Sequence, residues 1–197
     1  MSKSTVYTKT GDQGTSALYS GERRGKDELI FSALGSIDEL SAQLGLAFVH
    51  CNNDGNELPE TITEIQSRLF DIMSHIATPA ESASESKIVK TSFPDHETGS
   101  LEAKIDELDA KLPKLTKFIL PSGGLASAQL HVCRAVCRRA ERQIVALWQG
   151  ALDEHKSVLT YMNRLSDFLF VAARTASFFV KSEEMTYKKG KGIEINQ

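Results

Sequence analysis

The stretch HVCRAVCRRAER, residues 131–142, places four arginines, Arg134, Arg138, Arg139 and Arg142, within nine positions of a chain whose formal net charge is −3. A guanidinium is always charged, and its planar fork suits bidentate contacts to phosphate or carboxylate. The chemistry open to such a cluster is anion binding and the stabilisation of a departing anion. On a helix Arg134 and Arg138, four apart, share a face with Glu141, three further on, while Arg139 and Arg142 carry the charge round the helix. A second reading is a solvated face with Glu141 neutralising Arg138, since exposed ion pairs contribute only ~0–1 kcal/mol and need no purpose.

Three further stretches could complete an anion site. YMNRLSD, residues 161–167, sets Asn163 and Asp167 four apart with Arg164 beside them. GSIDELSA, residues 35–42, supplies Asp38, which either pairs with an arginine of another helix or subunit or serves as an ordinary capping or surface acid. The N-terminal stretches TKTGDQGTS (8–16) and GERRGK (21–26) offer glycines that admit an anion to backbone N–H groups. They add hydroxyls on Thr10, Thr15 and Ser16, the cations Lys9 and Lys26, and Asp12, able to orient a divalent ion on phosphate oxygens. The spacing is not that of a Walker A loop. Paired with the arginine helix, these residues indicate a polyphosphate pocket.

The elements that must position these residues are helical. Residues 1–26 are turn-rich and polar, broken by Gly11, Gly14, Gly21 and Gly25. Leu29, Ile30, Leu34, Ile37, Leu40, Leu44 and Ala47 recur at helical intervals over 27–50, with Asp27 as a cap. NNDGNELP ends that helix, and Thr61 with Glu64 forms a capping box for a second carrying Ile62, Ile65, Leu69, Ile72 and Ile76. Residues 80–97 read as an exposed connection, 100–112 as a short helix stopped by Pro113. A fourth helix after FILPSGG runs to about residue 149 on a seam of Leu130, Cys133, Cys137, Ala140, Ile144 and Leu147. A fifth, over 155–181, repeats it with Val158, Met162, Leu165, Leu169, Ala172, Ala176 and Phe179. Trp148 and most of the phenylalanines are assigned to the core or to subunit contacts. The fold class is all-α, a single domain over 1–197 built as a five-helix bundle, with residues 182–197 as a flexible tail.

Composition narrows the function. A pI near 6.0 excludes broad binding to nucleic acid or an anionic membrane surface, so any anion site is local. Three cysteines are an odd number, and Cys133 and Cys137 lie one turn apart in an apolar pattern. That favours reduced, buried thiols over a disulfide framework, and core packing over a metal site shared with His131. Neither a signal peptide nor a membrane span is evident. The expected location is cytoplasmic, or the mitochondrial matrix if a leader has been removed.

The blocks YTKTGDQGTS, GERRGKD, GSIDELSA, FILPSGG, CRAVCRRAER and YMNRLSD, in this order, resemble successive signatures of the PduO-type ATP:cob(I)alamin adenosyltransferases. The resemblance runs from Tyr7 to Lys181 and weakens around residues 80–97 and after Phe179. It implies a five-helix bundle assembled as a homotrimer with active sites between subunits. It also implies transfer of the 5′-deoxyadenosyl group of ATP to the cobalt of cob(I)alamin, releasing tripolyphosphate, with Mg²⁺ carried mainly by the ATP phosphates. By resemblance Thr8, Lys9, Thr10, Gly11, Ser16, Ala17 and Lys26 bind ATP from the N-terminal loop. Arg138, Arg139, Ala140, Glu141, Arg142 and Asn163 complete that site. Arg134 pairs across the subunit boundary with Asp38, and Phe118 lies against the lower face of the corrinoid. A reductase and an adenosylcobalamin-dependent mutase or dehydratase are the partners this implies. Without the resemblance, an ATP hydrolase or phosphotransferase and a non-enzymatic ligand sensor stay open.

Overall fold

A computed structural model describes residue 7 and residues 9–189. Six helices dominate: α1 (Leu29–Asp54), α2 (Leu58–Ile76), α3 (Glu85–Lys90), α4 (His96–Asp109), α5 (Leu125–Leu147) and α6 (Lys156–Phe179). A small hairpin precedes them, β1 (Thr15–Ala17) antiparallel to β2 (Arg23–Gly25), with Ser16 opposite Arg24. It is the one sheet among the described residues, and a single antiparallel bridge joins Ile119 to Thr186.

The seams read from the sequence are the core. Ile37, Leu40, Leu44 and Ala47 of α1, Leu130, Cys133, Cys137, Ala140 and Ile144 of α5, and Val158, Met162, Leu165, Leu169 and Ala172 of α6 are fully buried. Each large aliphatic side chain so placed contributes ~1.5–3 kcal/mol. Burial pushes the Cys133 thiol up to about 12 and that of Cys137 higher still, so both stay protonated. Phe179, assigned to the α6 seam, and Leu29, assigned to the α1 seam, are instead half exposed, and Phe70, Phe118 and Phe178 also face outward.

Helix directions follow from side-chain pairs. Gln129 donates to the Gln43 carbonyl at 3.1 Å and Arg139 pairs with Glu39, so α5 runs antiparallel to α1. The His131 and Phe170 rings meet edge-on with centres 6.1 Å apart, Cys137 Sγ donates to the Met162 carbonyl at 3.4 Å, and Trp148 stacks on His155, setting α6 antiparallel to α5. Lys104–Glu64 at 3.0 Å and Arg68–Glu97 at 2.6 Å make α4 antiparallel to α2. The five longer helices therefore alternate in direction and leave two ends, one holding the hairpin and the other the α4–α5 connection.

Several local assignments are corrected. The residue before α1 is Glu28 rather than Asp27, and its carboxylate reaches back to the Gly25 N–H at 3.1 Å instead of capping the helix. Thr61 and Glu64 lie inside α2, which starts at Leu58 with Pro59 in its first turn, where the missing N–H costs nothing. Asn56 Oδ1 accepts from the Leu58 N–H at 3.1 Å. Residues 80–97 contain α3 and the start of α4; α3 buries no residue, so it left no apolar period to read.

At the hairpin end Lys87 of α3 donates to the Tyr19 and Ser20 carbonyls at 2.9 and 3.2 Å. His75 and His155 share a ring-nitrogen contact of 3.1 Å, and Trp148 stacks on His155 with ring centres 3.8 Å apart. Trp148 thus closes the α5–α6 corner. At the opposite end residues 182–187 pair with the α4–α5 connection: Leu120 N–H donates to the Met185 carbonyl at 2.7 Å and Tyr187 N–H to the Phe118 carbonyl at 2.8 Å. Gly123 has φ 88°, and a Cβ there would lie 2.4 Å from Ser177 Oγ. Among the described residues no helix is long and apolar enough to cross a membrane.

Gly123→Ala combines a left-handed φ with a clash against α6. It should lower the unfolding free energy by on the order of 3 kcal/mol, read from urea denaturation.

Candidate functional site

The N-terminal loop is held shut by two cations. Lys26 Nζ donates to the Gly11 carbonyl at 3.0 Å, and its backbone N–H donates to the Gly14 carbonyl at 2.9 Å. Arg23 donates to the Thr10 carbonyl at 2.5 Å and to Thr15 Oγ1 at 2.8 Å. Lys9 and Gly14 take left-handed φ of 60° and 77°, which curls residues 9–14 into a tight turn. A Cβ at Gly11 would sit 3.2 Å from Lys26 Nζ, the mobile end of an exposed side chain that a few tenths of an ångström would clear. Ser16 and Ala17 lie on β1 facing Arg24 and Arg23 of β2. Asp12 is exposed; Thr8 lies outside the described residues.

On α5 the arginines divide their work. Arg138 is exposed and its guanidinium makes no hydrogen bond or ion pair among the described residues, while its carbonyl accepts from Arg142 Nη1 at 3.0 Å. Arg139 is tied to Glu39 of α1. Glu141 does not neutralise Arg138: its Oε1 accepts from Asn163 Nδ2 of α6 at 2.9 Å, a bond between helices that outcompetes the neighbour on its own helix. Ala140 is fully buried in the core, so its side chain belongs to packing and not to the polar surface. Arg164 pairs with Glu102 and Asp167, both at 2.8 Å, and is not joined to Asn163. Arg134 is half-buried with its Nε lacking a hydrogen-bond partner, and Asp38 is exposed and unpaired among the described residues.

Phe118 is 83 % exposed, which rules out a core role. Its segment lies at the end where α5 begins, and thirteen residues of α5, about 20 Å of helix, separate Leu125 from Arg138. One chain therefore brings Arg138, Glu141, Arg142 and Asn163 together, with the loop at the hairpin end, and holds Phe118 near the other end. Among the described residues no group of three or more His, Cys, Asp or Glu side chains could hold a metal ion.

Residues 6–176 match the family described as cobalamin adenosyltransferase. The chain belongs to that family. It is 46 % identical over 185 residues to the corrinoid adenosyltransferase MMAB of Mus musculus, covering 93 % of this chain and 77 % of that protein. It is 39 % identical over 174 residues to a corrinoid adenosyltransferase of Bacillus subtilis, covering 87 % and 86 %. Among solved structures it resembles a phenylalanine-to-alanine variant of the PduO-type ATP:corrinoid adenosyltransferase from Lactobacillus reuteri, complexed with cobalamin and ATP. There the TM-score is 0.82 at 35 % identity, covering 93 % of this chain and 99 % of that one. An arginine-to-lysine variant of the enzyme from the same organism, complexed with ATP, gives 0.81 at 36 % identity, with 93 % and 100 % covered.

In this adenosyltransferase chain, sequence reasoning overlooked Arg23 and Glu39. Arg23 stood in the quoted GERRGK block, yet its role as the second clasp of the loop depends on a β-register that three-residue strands scarcely signal. Glu39 stood beside Asp38, and only the α1–α5 packing shows which of the two acids reaches Arg139 within the chain.

Lys26→Met should speed hydrogen exchange at the Gly14 amide, whose turn Lys26 closes, while changing the unfolding free energy by no more than ~0.5 kcal/mol because the side chain is exposed.

Proposed function

We propose that this adenosyltransferase moves the 5′-deoxyadenosyl group of ATP to the cobalt of a cob(I)alamin-type corrinoid. Cobalt(I) attacks C5′, the C5′–O bond breaks, and its electron pair leaves with tripolyphosphate. The observation that carries this reading is the family match over residues 6–176, which includes every predicted site residue. Cobalt(I) is already a strong nucleophile, so the chain has no need of a general base. It must hold C5′ in line with cobalt and stabilise the departing triphosphate.

The residues suit that task. Arg138 offers an uncommitted guanidinium, and Lys26 and Lys9 flank a turn of accessible backbone. With Thr8, Thr10, Gly11, Ser16 and Ala17 they form the nucleotide loop, and Arg139 and Arg142 add positive potential beside Arg138. The Glu141–Asn163 bond holds two polar groups at the α5–α6 seam, where they orient the nucleotide. Magnesium would travel on the phosphate oxygens, with Asp12 as an exposed carboxylate near them. Phe118, exposed on a braced segment, would lie against the lower face of the corrinoid and exclude an axial ligand and water. An anaerobic assay with ATP, magnesium and cob(I)alamin should give adenosylcobalamin and tripolyphosphate; ADP and phosphate would overturn the reading. Phe118→Ala should reduce the four-coordinate fraction of bound cob(II)alamin several-fold, read by its spectrum, with ATP affinity unchanged.

The site is completed by a second copy in a homotrimer of five-helix bundles. Support comes from Asp38 and Arg134, which find no partner among the described residues, and from outward-facing Leu46 and Val49 of α1 and Val132 and Val145 of α5. Asp38→Asn should cut turnover by on the order of tenfold or more even where the trimer persists by light scattering, since a desolvated charge pair at an interface sets register. Full turnover in that variant would remove the pair from the site.

A further inference from the structure

Arg174, near the end of α6, is 5 % exposed and plays no part in the chemistry above. A guanidinium keeps its charge at any depth, so burial obliges the surroundings to satisfy it. Three different segments do so. Nη2 donates to the Pro113 carbonyl at 2.7 Å, Nη1 lies 3.7 Å from Asp109 at the end of α4, and Nε lies 3.7 Å from Glu184 Oε1. Asp109 is largely exposed, whereas Glu184 is 23 % exposed and its Oε1 is buried without a hydrogen bond, facing the equally unbonded Arg174 Nε.

Pro113 and Glu184 belong to the two strands that meet at Phe118. From Pro113 the chain runs to Phe118, Ile119 and Leu120; from Glu184 it runs to Met185, Thr186 and Tyr187. The strands are bonded to each other by Leu120 N–H to the Met185 carbonyl, Tyr187 N–H to the Phe118 carbonyl and Met185 N–H to Ser122 Oγ. Ser177, one turn beyond Arg174, donates to the Ser182 carbonyl at 2.9 Å and leaves no room at Gly123 for a side chain. One turn of α6 thus grips both strands.

We propose that Arg174 and Glu184 are positioning residues that form a latch, fixing the exposed Phe118 ring by clamping both strands of its segment to α6. Arg174 anchors the incoming strand through Pro113, and Glu184 anchors the returning strand through the same guanidinium. At 3.7 Å the Nε–Oε1 contact is an ion pair rather than a hydrogen bond. Because the latch acts on Phe118, its consequence for the corrinoid rests on the proposed adenosyl transfer, while its mechanical part does not.

Glu184→Gln keeps the shape and removes the charge; Arg174→Lys keeps the charge and removes the fork. Hydrogen exchange at the Tyr187 amide, which donates to the Phe118 carbonyl, should accelerate roughly tenfold in Glu184→Gln, with exchange in the buried α5 seam unchanged. Bound cob(II)alamin in that variant should show the same direction of spectral change as Phe118→Ala, with ATP affinity at the wild-type value. Arg174→Lys should reproduce both changes if it folds. Wild-type exchange at Tyr187 in Glu184→Gln overturns the latch, and so does faster exchange accompanied by an unaltered four-coordinate signal. Absence of that signal in the wild-type protein instead overturns the corrinoid reading, and Tyr187 exchange still decides the latch.

Discussion

The register of α5 is the constraint on which the rest depends. In 23 residues this helix must give α1 and α6 an apolar seam and keep four arginines out of it. Ala140 is fully buried between Arg139 and Glu141, so a roll of one residue would drive a guanidinium into the core. A buried unpaired charge costs far more than one aliphatic contact returns. Packing and electrostatics therefore select the same rotation, and the outward direction of Arg138 is a by-product of the seam formed by Cys133, Cys137, Ala140 and Ile144. Glu39–Arg139 and Asn163–Glu141 then pin both flanks of the helix at the same level. Such exposed contacts add only ~0–1 kcal/mol each, and their value lies in aligning neighbours.

The two ends of the bundle solve a different problem, that of holding irregular chain in place without a core beneath it. At the hairpin end the loop is tied by cations donating to carbonyls: Lys26 to Gly11, Arg23 to Thr10, Lys87 to Tyr19 and Ser20. Most of these bonds are exposed and individually weak, which suits the nucleotide loop proposed above. At the other end the connection to α5 is held by backbone pairing and by the buried Arg174. That end presents several exposed aromatics, Phe118 the most exposed at 83 %, with Phe178, Phe179 and Tyr187 also facing outward.

How much of this could be read from sequence follows from the physics of each element. The long helices were legible because an apolar seam at a period near 3.6 leaves a repeated mark, seen in α2 at Ile62, Ile65, Leu69, Ile72 and Ile76. Helix α3 was not, because it buries nothing. The capping residues were misplaced where side chains found other partners: Glu28 turned back to Gly25, and Glu64 crossed to Lys104. Residue types at the site were legible in the arginines, the glycine turn and Asn163. Their pairings were not, since a sequence shows neighbours along one helix, and Glu141 takes its partner from another. Phe179 followed the seam by spacing but lies at the last residue of α6, where the helices no longer cover it. The strap over residues 182–187 gave no period because its pairing is a single bridge, Ile119 with Thr186, in a charged stretch.

The separation of Arg138 from Phe118 bears on how such a chain performs adenosyl transfer as proposed. Cobalt and C5′ must come to bonding distance, so the groups that hold the triphosphate and those that shield the corrinoid must face one cleft. Along α5, about 20 Å of helix separates Arg138 from Leu125, where the helix leaves the segment that carries Phe118. A cyclic, head-to-tail contact joins unlike faces of successive copies, and so can bring the arginine face of one chain to the aromatic end of the next. On the proposed reading Asp38 and Arg134, which have no partner among the described residues, would meet each other across that contact. The same contact would cover the outward apolar residues of α1 and α5, so that assembly and completion of the site are one event. On the proposed reading a monomer would hold half an active site, because Arg138 lies midway along α5 while Phe118 lies on the segment before that helix begins.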